Sequence, residues 1–242
     1  MTDVPPHELA RLESVAQSEG VSLDGLVARR MAGEPLQYIE GRAAFGPIDL
    51  KVDARVLVPR PETEGLYEMA IRMVRNPEVV VDLCTGSGAL ALGLKYSFPG
   101  ASVFATDVSE DALEVAMENG WATGLHVHFA QGDLFDPLPE RLMGKVDLLV
   151  ANPPYVSKSE FASLPEDVKR EPEIALISGP SGLEHIERIG AFAARWLRPG
   201  GVVICEIGET QGVSAATSFN GLPAVVRQDL AGRDRYVVAV KP

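Results

Sequence analysis

The sequence predicts an α/β fold: a seven-stranded, largely parallel sheet with its last strand antiparallel, preceded by a short helical appendage and a β-hairpin. Three observations predict it. From Asn76-Pro77 onward, apolar runs of strand length alternate with amphipathic runs of helix length, the pattern of right-handed crossovers in a parallel sheet. The last two strand-like runs lie too close for a helical crossover, so they pair as an antiparallel hairpin at the sheet's end. Finally, four successive strands end in polar residues on one edge, and in open α/β sheets ligands bind at that edge.

Residues 1–40 read as a helical segment. Leu9, Leu12, Val15 and Ala16 keep helical spacing to Gly20, and Ser22 is placed to cap a second helix through Ala32, with Gly33 past its end. With three basic and seven acidic residues, its outer face should be solvated. Residues 41–76 read as a hairpin and linking helix. Ile48, Leu50 and Val52 alternate with polar residues and Arg55-Val56-Leu57-Val58 follows, so the hairpin spans Phe45 to Val58. Pro59-Arg60-Pro61-Glu62-Thr63-Glu64 then opens a helix through Val74, and its rigidity and charge also suit a lid over a site.

Residues 77–242 hold the alternating pattern. Strands are expected at 79–84, 102–106, 127–130, 146–151, 201–207, 224–228 and 235–240. Helices are expected at 89–96, from Ser109 to about Trp121, from Gly182 to Leu197, and weakly after Gly208.

Of the 242 residues 46% are hydrophobic and 23% charged, a globular composition. No apolar run approaches the roughly 18–20 residues of a membrane span. Met1 to Pro6 lacks a signal peptide's basic region and apolar core, so a cytoplasmic protein is expected. Cys84 and Cys205 are expected as reduced, buried thiols. A net charge of −12 argues against nucleic acid held over a wide face, which rests on phosphate neutralisation.

The first strand of the alternating region runs into Cys84-Thr85-Gly86-Ser87-Gly88 and then a helix, a turn that lets backbone approach a ligand closely. Two cofactors fit it. Gly86, Gly88 and Ala91 satisfy a dinucleotide-binding pattern, with Asp107 placed to hold a ribose. Cys84, Gly86 and Gly88 also stand at the alternate positions of the looser turn that holds S-adenosylmethionine, where Asp107 would take the same hydroxyls. Asp133 is placed to accept from an adenine amino group, with Leu134 against the ring. His126 and His128 share a strand face, but no third ligand lies near, and no metal site is expected.

Asn152-Pro153-Pro154-Tyr155 follows a strand with two residues that cannot extend it. The Asn152 side-chain oxygen and the Pro153 carbonyl are two neighbouring acceptors, suited to holding both hydrogens of a planar NH2 group. Tyr155 offers a face on which a flat amide or base can stack. That suits methylation of such a nitrogen by positioning alone.

These motifs resemble the HemK/PrmC family of protein-(glutamine-N5) methyltransferases, class I S-adenosylmethionine-dependent enzymes with a Rossmann-like fold. The matching stretches are PLQYI at 35–39, FG at 45–46, VLVPRPETE at 56–64, VVDLCTGSGALAL at 80–92 and NPPYV at 152–156, followed by EPEIAL at 171–176, SGL at 181–183, LRPGG at 197–201 and DLAGRDRYV at 229–237. The resemblance implies a cofactor site of Cys84, Thr85, Gly86, Ser87, Gly88, Asp107, Asp133, Leu134 and Asn152. It implies that Asn152 to Tyr155 grip a substrate glutamine, while Phe45, Arg60, Glu62 and the rest of the PRPETE segment close over it. The implied substrate is a translation protein, first a class I release factor at its Gly-Gly-Gln loop. A ribosomal protein, or an amino group of a nucleic-acid base, are the alternatives. Cys84 stands where the family has a glycine, which requires a negative φ there. Leu134 stands where an aromatic residue is common, and the family's N-terminal helical domain is longer than residues 1–40.

Overall fold

The computed structural model describes residues 4–242; residues 1–3, which begin both the helical segment and the stretch read for a signal peptide, lie outside them. Helices α1 (Pro6–Glu19), α2 (Leu23–Met31) and α3 (Leu36–Glu40) come first. Their inward residues, Leu12, Val15, Leu26, Val27, Leu36 and Ile39, make a small core of their own. Gly20 ends α1 in the left-handed conformation, as the spacing predicts. Ser22 does sit at the start of α2, but its side chain makes no capping bond. The sequence reading missed α3 because five residues are too few to show a helical period.

The hairpin is shorter and earlier than expected. Strands β1 (Arg42–Phe45) and β2 (Ile48–Lys51) pair antiparallel about Gly46-Pro47. Arg55 to Val58 form no strand. Instead Val56 and Val58 bury against Tyr38, Ala43, Val52, Ala112 and Val115, and the Val58 N–H donates to the Glu171 carboxylate at 2.8 Å. Tertiary burial, not a strand partner, explains that apolar run.

Helix α4 (Pro61–Met73) leads into the main sheet, whose elements are β3 (Val79–Leu83), α5 (Ala89–Ser97), β4 (Ser102–Asp107), α6 (Glu110–Thr123), β5 (His128–Gln131), β6 (Val146–Ala151), α7 (Lys158–Phe161), α8 (Glu173–Leu176), α9 (Glu184–Trp196), β7 (Leu197–Glu206), α10 (Gly212–Ser218), β8 (Ala224–Gln228) and β9 (Asp234–Val240). Ser109 caps α6, its side chain accepting from the Ala112 N–H. The strand order is β5-β4-β3-β6-β7-β9-β8. The first five pair in parallel. The final hairpin inserts its second strand, so β9 runs antiparallel to β7 and β8 forms the edge.

Both faces of the sheet are covered, which is why its central strands read as continuous apolar runs. On one face Val81, Leu83 and Leu149 pack against Ile186, Ile189, Ala193 and Trp196 of α9 and Phe219. On the other, Val80, Leu148 and Val150 meet Leu66 and Ala70 of α4, Leu90 to Leu94 of α5, and the hairpin's Phe45, Ile48 and Leu50. Burying each such Leu or Ile side chain contributes about 1.5–3 kcal/mol. Asp147 fixes the register of β3 against β6, its Oδ2 accepting from the Glu78 and Val79 N–H groups at 2.9 and 2.8 Å. The result aligns the carboxyl ends of β3, β4, β5, β6 and β7. Among the described residues no helix is long and apolar enough to cross a membrane.

Candidate active site

The turn after β3 is built from positive-φ residues: Cys84 at 61°, Gly86 at 55° and Gly88 at 83°. Cys84 corrects the expectation of a negative φ there. The turn demands the left-handed conformation at this position, so a cysteine carries a cost of about 1–2 kcal/mol that glycine would not. Its half-buried side chain offsets part of this by packing against the core.

Two acids hold the turn. Asp107, ending β4, accepts from the Gly86 N–H through Oδ2 at 2.8 Å and from the Ser109 N–H through Oδ1 at 3.0 Å. Asp82 lies wholly buried in β3, where its Oδ2 accepts from the Thr85 hydroxyl at 2.6 Å and the Ala91 N–H at 3.2 Å. Among the described residues its Oδ1 has no partner, and burial pushes the carboxyl up to about 7. Asp133 follows β5 half-exposed and pairs with Arg188 of α9 at 2.7 Å. Leu134 is buried with φ at 49°, and its carbonyl accepts from Thr106 Oγ1 at 2.8 Å.

Asn152 leaves β6 beside the start of α4. Its Nδ2 donates to Thr63 Oγ1 at 2.9 Å, and that hydroxyl donates to Glu206 Oε2 at 2.9 Å. The Tyr155 hydroxyl reaches Glu206 Oε1 at 3.4 Å. Gln211 clamps the same loop from its other side: its Nε2 donates to the Tyr155 carbonyl at 2.9 Å while its Oε1 accepts from the Gly208 N–H at 2.8 Å. Glu206, at the end of β7, is fully buried, and burial raises its carboxyl to about 7. Burial also pushes the Tyr155 phenol up. Asn152 Oδ1 and the Pro153 carbonyl oxygen accept no hydrogen bond among the described residues.

Two cavities meet at Asn152. The first, about 930 Å³ with its mouth included, is walled by the turn from Cys84 to Ser87, by Asp107, Asp133 and Leu134, and by Pro59, Thr63 and Pro154. The second, about 570 Å³ with its mouth included, is lined by Arg60, Pro153, Tyr155, Leu164 and Leu176. Leu57, Asn152 and Ala175 belong to both. The first suits a nucleoside, with an acid at its edge and apolar walls. The second suits a side chain whose polar tip meets Asn152 and the Pro153 carbonyl.

The structure brings together most residues singled out in the sequence but not all. Phe45 lines neither cavity: it is fully buried, 5.7 Å from the Tyr67 ring, in the core beneath the hairpin. It therefore does not close over a ligand here. The PRPETE segment is a packed helix start and not a loose lid. Glu62 lines neither cavity, and its carbonyl accepts from the Tyr236 hydroxyl at 2.7 Å. Arg60 faces the second cavity but is tied to the buried Glu171. Burial raises the Glu171 carboxyl while the Arg60 charge opposes it.

Three lining or supporting residues, Glu206, Gln211 and His185, were not legible beforehand, and Thr63 was legible only as a member of the PRPETE segment. The partners of Thr63 lie far away in the chain, Asn152 by 89 residues and Glu206 by 143. His185 opens α9 on the first cavity, its Nδ1 2.7 Å from the Ser178 hydroxyl, with burial lowering its basicity. His128 stacks on Phe104 with ring centroids 4.7 Å apart, and His126 is exposed. Among the described residues no three His, Cys, Asp or Glu side chains cluster as metal ligands.

The comparisons with known proteins agree in kind. A family model described as "Methyltransferase small domain" matches residues 68–168. The chain is similar to the release factor glutamine methyltransferase of Streptomyces coelicolor, 44% identical over 225 residues that cover 89% of this chain and 79% of that one. It is likewise similar to that of Moorella thermoacetica, 41% identical over 245 residues that cover 98% of this chain and 86% of that one. Among solved structures, a methyltransferase from Pyrococcus furiosus superposes with a TM-score of 0.63 at 20% identity, covering 88% of this chain and 98% of that one. At that identity the superposition speaks for the fold alone.

Proposed function

The chain belongs to the release factor glutamine methyltransferase family, and from that premise we propose that it transfers a methyl group from S-adenosylmethionine to the side-chain N5 of a glutamine in a translation protein in the cytoplasm, first of all the Gly-Gly-Gln loop of a class I release factor. The observation that carries the reading is the position of Asn152, shared by a cavity walled by the glycine turn, Asp107 and Leu134 and a second lined by Arg60, Pro153 and Tyr155.

The first cavity fits the cofactor. A Cβ built on Gly86 meets nothing within 4 Å, so the turn opens onto free space that a ligand would fill. Asp107 would hold the ribose hydroxyls through its remaining lone pairs, with Leu134 and Val108 flanking the adenine. Beneath the turn, Asp82 Oδ2 accepts from the Thr85 hydroxyl and the Ala91 N–H and so fixes the shape of that wall. When bound, the cofactor supplies a methyl group on a sulfonium, already activated for transfer.

The remaining work is positioning. A glutamine carboxamide entering the second cavity meets Asn152 Oδ1 and the Pro153 carbonyl, which accept its two hydrogens and fix its plane. The nitrogen is then aimed toward the first cavity, with Tyr155 beside it. The amide nitrogen becomes acidic as it gains the methyl group, so its proton leaves to water afterwards and no strong side-chain base is required. Orientation and exclusion of water account for such rate gains.

Mass spectrometry of release factors and ribosomal proteins from cells lacking the gene tests the substrate. Loss of one methyl from the release-factor glutamine is expected. A glutamine that stays fully methylated, in a strain with no second enzyme of this family, overturns the assignment.

A further inference from the structure

Resting on that reading of Asn152, we propose that Glu206 and Thr63 are positioning residues: Glu206, acting through the Thr63 hydroxyl, sets which end of the Asn152 carboxamide faces the substrate. The argument is one of forced polarity. An ionised carboxylate can only accept, so the Thr63 hydroxyl, 2.9 Å from Glu206 Oε2, spends its one hydrogen there. Only lone pairs remain on Thr63 Oγ1 to meet Asn152 at 2.9 Å, so the atom of Asn152 facing it must be the donor Nδ2. Oδ1 is thereby turned outward, the orientation in which it can accept from a substrate NH2. A free carboxamide has two orientations of nearly equal shape, and one of them presents a donor to a donor. The relay removes that second state before the substrate arrives.

The surroundings keep the relay one-directional. Glu206 and Thr63 are buried, so water does not compete for the hydroxyl. The other charged or titratable groups around Glu206 are Tyr155 from the Asn152 loop, Arg235 and Tyr236 from β9, Glu62 from α4 and its own neighbour Cys205. Tyr155 can donate to Glu206 Oε1, the oxygen that Thr63 does not use. Burial raises the Glu206 carboxyl to about 7, so the relay is complete above neutral pH. A protonated Glu206 could donate to Thr63 and let the hydroxyl turn its hydrogen to Asn152, which would favour the wrong amide orientation.

The test is a double-mutant cycle at pH 8 with a release factor as acceptor, read as kcat, acceptor KM and cofactor Kd for Thr63→Val, Thr63→Ser, Asn152→Ala and the Thr63→Val/Asn152→Ala pair. Thr63→Val should lower kcat about tenfold to a hundredfold, the range set by leaving one buried partner unpaired, with cofactor Kd moving far less. Thr63→Ser, which keeps the hydroxyl, should recover most of the loss. In the Asn152→Ala background Thr63→Val should cost nothing further. An unchanged kcat in Thr63→Val, or the same loss with and without Asn152, overturns the relay. If Thr63→Val does not fold, Glu206→Gln takes its place in the cycle and the same non-additivity decides. A second readout separates this inference from the acceptor assignment. The Asn152 Nδ2 protons, followed by NMR without any acceptor, should be protected from solvent exchange in the wild type and exposed in Thr63→Val or its substitute. Equal exchange in the two proteins refutes the relay even if the release factor proves not to be the substrate.

Discussion

Replacing Asp107 by Asn separates the two tasks this side chain has in the structure. Its carboxylate accepts from two backbone donors, Gly86 at 2.8 Å and Ser109 at 3.0 Å, and its remaining lone pairs face the first cavity. An asparagine can accept at one oxygen only, so one of the two N–H groups meets an NH2 and loses its bond. That costs about 1–3 kcal/mol of stability, or roughly 2–12 °C in Tm at this chain length. The cofactor loses a charge-assisted acceptor for its ribose, worth about 1.5–3 kcal/mol, which is roughly 12-fold to 160-fold in affinity. Calorimetric titration of S-adenosylmethionine, with a thermal scan of the free protein, reads both. Wild-type affinity alongside a lowered Tm would mean that Asp107 merely braces the turn, and the cofactor assignment of this cavity would have to be withdrawn.

Asn152→Ala should lower turnover by at least a hundredfold while Tm moves little, because the residue ends a strand; single-turnover transfer at saturating cofactor measures it. Gly182, at φ 81°, leaves no room for a side chain, since a Cβ there would lie 2.5 Å from the Tyr155 carbonyl; Gly182→Ala should shift the Asn152 loop and lower kcat more than cofactor affinity, by parallel kinetics and calorimetry. Glu206→Gln should flatten the pH dependence of stability. Burial raises this carboxyl in the folded chain from 4.5 to about 7, so the folded state holds a proton that the unfolded chain has released. The associated stability is full below the unfolded value and is lost as pH rises through about 7. Denaturant unfolding at pH 5 and pH 8 should therefore differ less in the variant than in the wild type, by about 2–3 kcal/mol; an identical difference would show that Glu206 does not titrate in this range.

What could be read in advance followed local pattern. The strand ends at Leu83, Asp107 and Ala151 were legible because each apolar run stops at Gly, Asp or Asn-Pro, and the turn from Cys84 to Gly88 announces itself by its glycines. The same local reasoning failed where the cause is tertiary. Val56 and Val58 look like a strand and are instead apolar plugs beneath α6. Phe45 was itself assigned to closing over the substrate, yet its ring belongs to the core. Cys84 was judged by its residue type, whereas the turn sets its φ. Thr63 was legible only as one member of the PRPETE segment, and Glu206 carried no signal at all: a Glu ending a strand is an ordinary residue. Only the fold places them in hydrogen-bond contact, and only then does the polarity of the Asn152 amide become a question with an answer.

The central claim is that Asn152 presents one glutamine side chain to a methyl donor across the boundary of two cavities. Incubating the purified protein with S-adenosylmethionine and a class I release factor, then sequencing the Gly-Gly-Gln peptide by tandem mass spectrometry, tests it directly. A single added methyl on the glutamine side-chain nitrogen is expected, absent with Asn152→Ala. An unmodified glutamine, or a methyl on any other residue of the release factor, contradicts it.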